Sequence, residues 1–165
     1  AKAISPGQTS TVAQLIEYMI KYSDNNASQL LYSDIDKNLL NRVYGDLGIP
    51  VKADATLEDL DFIEAHQVAT MLRVLYNATY LSRDDSEKAL KLLSTTSFNE
   101  GIVAGVSNST LVSHKLGLVA IAPHDIVAEH ELHDCGIVYA AKSPYLLRIM
   151  TRAPASGPPS APCRA

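Results

Sequence analysis

Apolar residues in the first part of the chain recur at helical spacing. Val12, Leu15, Ile16, Met19 and Ile20 form one stripe. Thr11-Val12-Ala13-Gln14 ahead of them reads as a capping box, after the breaker pair Pro6-Gly7. The polar run Tyr22-Ser23-Asp24-Asn25-Asn26 closes this helix. Ser28 to Tyr32 predicts a short helix carrying Leu30 and Leu31, and Asp36 to Leu47 a third with Leu39, Leu40 and Val43 on one side. Gly48 and Pro50 stop it. Val68, Met71, Leu72, Leu75 and Tyr76 repeat the buried-face pattern. Ser82 caps a fifth helix, with Asp84 and Asp85 in its first turn, where the dipole favours anions, and Leu90, Leu92 and Leu93 on its apolar side.

The pattern changes after Gly101. Ser107 to Thr110 is a turn cluster. Leu111 to Leu118, extended by Val119 to Ile121, predicts a strand; Leu132 to Tyr139 and Tyr145 to Thr151 predict two more, with Ala141 to Pro144 at hairpin length between them. The fold class is therefore α+β: a helical block followed by a short antiparallel sheet. Residues 153–165 hold four of the eight prolines among Ala, Ser and Gly, so they are expected to form a disordered tail after a domain of residues 1–152.

Two polar elements carry candidate chemistry. Ser23-Asp24-Asn25 ends the first helix, and Ser113-His114-Lys115-Leu116-Gly117 lies on the first strand. Ser-Asp-Asn and Lys-Thr-Gly are two of three signatures of class A β-lactamases and penicillin-binding proteins; Ser-x-x-Lys is the third. With Phe98 to Val106, His133 to Tyr139 and Tyr145 to Thr151 in the same order, the chain resembles the class A β-lactamase-like serine hydrolases from about Thr11 to Thr151.

The resemblance implies a β-lactamase/transpeptidase-like fold and hydrolysis of a β-lactam or acyl-peptide amide through an acyl-enzyme. Ser23 would relay a proton to the leaving nitrogen, between a nucleophile and Lys115. Asn25 would position a substrate carbonyl, and Leu116 and Gly117 would line the substrate. Gly117 would let substrate lie close to the backbone. The resemblance also implies an exported protein, acting on antibiotics or cell-wall peptides, with no metal or organic cofactor.

Each residue also has a plainer reading. Ser23 can cap a helix end, Asn25 can occupy a turn, and Lys115 can be a solvated strand lysine. Asp24 reads as structural, fixing the loop through backbone N–H groups.

Three departures from the family pattern stand out. The residues three before the lysines are Tyr18, Asp34, Ile49, Asp85, Lys88, Val112 and Tyr139, and Lys2 has none, so these residues contain no Ser-x-x-Lys. Leu116 stands where the family's threonine helps to hold a carboxylate. Val51 to Glu64 occupies the place of the deacylating loop, where Glu58 and Glu64 are both available and neither is assigned. The expectation is a fragment without the nucleophile segment and by itself inactive. A non-catalytic binding relative and a functionless truncated product remain as alternatives.

Composition narrows the partners. A net charge of -4 with no basic cluster argues against nucleic acid. No apolar run approaches the ~20 residues of a membrane span, and the first ten residues lack a signal peptide's apolar core. Cys135 reads as an inert buried thiol, and Cys163 lies in the tail. His124, Asp125, His130, His133 and Asp134 cluster in sequence, but not at zinc-motif spacing; the reading is surface histidines near a turn. An incomplete sheet with open edges favours self-association.

Overall fold

The computed structural model describes residues 3–5, 7–50, 64–121 and 129–154. They divide into two compact units, Ala1–Ser97 and Phe98–Ala165.

The first unit is helical. α1 spans Val12–Lys21, and the capping box expected from the sequence is formed: Gln14 N–H donates to Thr11 Oγ1, and Thr11 N–H to Gln14 Oε1. α2 spans Asn25–Asp34, longer at both ends than the apolar pair Leu30-Leu31 suggests. The cause is Asp24, whose Oδ1 accepts from Asn26 N–H and Ala27 N–H and so starts the helix three residues early. α3 spans Lys37–Asp46, N-capped by Asp36 and followed by Gly48 at φ +69, the left-handed position a helix end uses.

α4 (Ala65–Asn77) and α5 (Arg83–Leu93) bury Ala69, Leu72 and Leu93. Ser82 caps α5 by accepting from Asp85 N–H. α1 packs against α2 and α5, and α4 against α5. Ser97 N–H donates to Lys21 O at 2.9 Å, closing the chain after α5 onto the end of α1. Of the segment expected in the place of the deacylating loop, residues 51–63, Glu58 among them, lie outside the described residues.

The second unit is a three-stranded antiparallel sheet in the order β1-β2-β3. β1 spans Leu111–Ile121, β2 Glu129–Tyr139 and β3 Tyr145–Pro154. A 3₁₀ turn, Ile102–Gly105, packs on one face, where Ile102, Val112 and Val138 form a core with Val103, Val106 and Leu147 around it.

β2 begins earlier than its apolar residues suggest. Arg152 on β3 pairs with Glu129 at 2.6 Å and Glu131 at 3.4 Å, which holds the far end of the ladder. Pro154 ends β3 opposite Glu129, at the end of an edge strand, where a residue without a backbone N–H is tolerated. The sheet thus takes in Ala153 and Pro154, and residues 155–165 lie outside the described part.

Candidate active site

In the first unit the candidate site residues lie at the joint between α1 and α2. Tyr22 is the C-cap of α1 and Asp24 the N-cap of α2, so Ser23 alone makes the turn. It does so at φ +52, the left-handed region that non-glycine residues rarely enter. The strained residue is thus Ser23; Asn25 is the first residue of α2. Both are exposed.

Asp24 beneath them is buried, and its carboxylate is fully used. Oδ1 takes the two helix N–H groups, Oδ2 accepts from Ile4 N–H at 2.7 Å, and Asp24 N–H donates to Tyr18 O. Asp24 is therefore the structural residue of the triplet, as its chemistry suggested, and it fixes where Ser23 and Asn25 stand.

In the second unit Lys115, Leu116 and Gly117 lie in mid-β1, paired with Cys135, Asp134 and His133. Strand alternation puts Lys115 and Gly117 on one face and Leu116 on the other. Lys115 Nζ donates to Leu116 O at 2.9 Å. Burial pushes the Lys115 pKa below its usual value, and the nearby Asp134 charge opposes that shift. Burial pushes the Cys135 thiol up, aided by the Asp134 charge, which suits an inert thiol.

The residues around Lys115 correct the reading of the His/Asp cluster. Asp134 is 4% exposed, buried in the central strand. Its Oδ1 lies 2.7 Å from His114 Nδ1, and its Oδ2 accepts from Ile102 N–H at 2.8 Å. His133 is on the same strand, half-buried, 3.3 Å from Glu131.

His124 and Asp125 lie outside the described residues. Among the described residues no three His, Cys, Asp or Glu side chains gather as metal ligands do. The His114–Asp134 pair was not foreseen. A carboxylate within an apolar strand, with a glycine two residues on at Gly136, was the available signal.

Glu64, one of the two carboxylates left open for deacylation, is the N-cap of α4 and pairs with His66 at 3.1 Å on the surface.

The family described as the beta-lactamase enzyme family matches residues 2–164. The chain belongs to that family. The match includes the proline-rich residues after Arg152, where the sequence reading had the resemblance end.

Solved structures share the fold. PBP-A superposes with a TM-score of 0.72 at 20% identity, over 90% of this chain and 55% of its own. A mutant of PBP-A, solved as an acyl-enzyme complex with penicillin G, gives 0.71 at 18% identity, again over 90% and 55%. A class A β-lactamase from Bacteroides cellulosilyticus gives 0.70 at 19%, over 88% and 57%. The chain spans little more than half the length of these structures. No curated protein matches it.

The architecture expected from the sequence, a partial β-lactamase/transpeptidase-like α+β fold, is the one observed.

Proposed function

We propose that the chain supplies part of the site of a β-lactamase-like serine hydrolase, which opens a β-lactam or acyl-peptide amide through an acyl-enzyme. The carrying observation is the pair of preserved site segments. Ser23 makes a turn and Asn25 opens α2 on either side of a buried aspartate, and Lys115 and Gly117 share one face of a strand.

Ser23 would pass a proton towards the leaving nitrogen, and Lys115 would supply positive charge. Asn25 would orient the substrate's carbonyl through its amide. Leu116 would replace a hydroxyl contact with an apolar one, which weakens recognition of a carboxylate. Small molecules of the β-lactam or cell-wall peptide class are the proposed partners, in an exported setting. Among the described residues no helix is long and apolar enough to cross a membrane.

The 165 residues contain no Ser-x-x-Lys. Acyl transfer needs an activated nucleophile next to a base, so these residues alone are proposed not to acylate. That same observation favours a second reading, a relative that binds the ligand without turning it over. Incubation with a penicillin of a chain to which a Ser-x-x-Lys helix has been added, followed as intact protein mass, separates the two: an adduct supports the hydrolase and none supports the binding relative.

A further inference from the structure

The site lysine sits one residue from a buried polar cluster to which the proposed chemistry assigns no part. His114, beside Lys115 on β1, is 2% exposed. Asp134 on β2 is 4% exposed and touches two elements at once, β1 through His114 Nδ1 and the 3₁₀ turn through Ile102 N–H.

The surroundings leave this carboxylate little freedom. A Cβ on Gly101 would overlap Asp134 Oδ2, so only glycine lets the turn close over it. On the sheet, Gly136 faces His114, and a Cβ there would lie 2.5 Å from His114 Cβ. The ring of Phe98 lies against His114, with centroids 6.4 Å apart. Two glycines and a ring thus shape the space in which the His114–Asp134 pair sits.

We propose that Asp134 is a positioning residue for Lys115: through His114 it clamps the strand that carries the lysine, and through Ile102 it ties that strand to the turn. The inference rests on the reading of Lys115 as the site lysine. Asp134 does not share the lysine's face, so it acts through the backbone of β1 and through its charge. The nearby Asp134 charge counters the burial penalty at Lys115. On the lysine's own face β2 presents Cys135 and His133, with Glu131 two residues beyond His133 and Arg148 of β3 across from Cys135.

The test is NMR on the full chain, with Asp134→Asn, which keeps the shape and removes the carboxyl group, and His114→Phe, which keeps the carboxyl group and removes the clamp. In Asp134→Asn the titration midpoint of Lys115, followed at its side-chain carbon and nitrogen, is expected to fall. Amide exchange at Ile102 and at His114 to Gly117 is expected to rise at least about tenfold, while the β2–β3 ladder stays within about twofold.

In His114→Phe the exchange at Lys115 and Leu116 rises, and the lysine midpoint stays near its original value. An unmoved midpoint in Asp134→Asn overturns the proposal, as does exchange that rises equally everywhere. Should Asp134→Asn fail to fold, His114→Phe decides: unchanged exchange at Lys115 and Leu116 removes the clamp. None of these readouts involves hydrolysis, so they stand or fall apart from the proposed activity.

Discussion

Gly136 lies directly across the ladder from His114, and the two backbones fit only because Gly136 has no side chain. A Cβ there would stand 2.5 Å from His114 Cβ and 2.7 Å from Ser113 O. The second of these atoms is backbone in a paired strand and has no rotamer by which to retreat.

Gly136→Ala is therefore expected to cost about 1–3 kcal/mol, the usual range for overpacking. Urea unfolding measures it. A loss under about 0.5 kcal/mol would mean that β1 and β2 can part locally without harm.

Ser23 makes its turn at φ +52. A left-handed residue with a Cβ costs roughly 1–2 kcal/mol, and glycine avoids that cost at some loss to the unfolded chain's entropy. Ser23→Gly should thus be more stable than Ser23→Ala by about 1 kcal/mol, the reverse of the order inside a helix. Paired thermal melts of the two variants check this. Ala equal to or above Gly would show that the turn relaxes out of the left-handed region.

Lys115 gives a pH dependence with a definite sign. Burial lowers its folded pKa below the ordinary 10.5. Between those two values the unfolded chain binds more protons, so stability rises with pH through that window. Below the window the charged lysine carries its full desolvation cost. Lys115→Met is expected to stabilise the fold near neutral pH by on the order of 1 kcal/mol, because it removes a buried charge. The advantage should shrink as pH climbs past the lysine's folded pKa. Melting curves at several pH values would contradict this if the variant were less stable near neutrality.

The sheet has two edge strands, and several apolar side chains on it are open. Leu111 and Leu118 on β1 and Tyr145 and Ile149 on β3 are all at least 40% exposed. Open apolar edges recruit further strands. The isolated chain is expected to self-associate, with light-scattering mass rising with concentration. A monomer at all concentrations with a sharp cooperative melt would count against it.

Much of this architecture was legible because its signals are local. Thr11 and Gln14 are three apart, and their capping box is written in adjacent side chains. The three strands follow from apolar runs between turn residues. What was missed is non-local or conformational. His114 and Asp134 are twenty residues apart, and nothing in either segment says that the register brings them together. Asp134 was grouped with surface histidines because a carboxylate next to a histidine is ordinarily solvated. The early start of α2 was hidden because Asp24 read as a loop residue, though the same side chain is a strong N-cap. Ser23, Asn25 and Lys115 were visible as motif members and so as site candidates, whereas the left-handed turn at Ser23 was not.

The most direct test of the central claim is intact mass after incubation with a penicillin, on two chains. The 165-residue chain should show no covalent adduct, because it has no Ser-x-x-Lys. A chain in which a Ser-x-x-Lys helix is supplied ahead of α1 should take up one equivalent. Ser23→Ala or Lys115→Ala in that longer chain should slow uptake by roughly 100-fold, the lower end of what a positioned proton relay contributes. A stoichiometric adduct on the short chain would contradict the account, and so would a longer chain with its nucleophile present that never acylates.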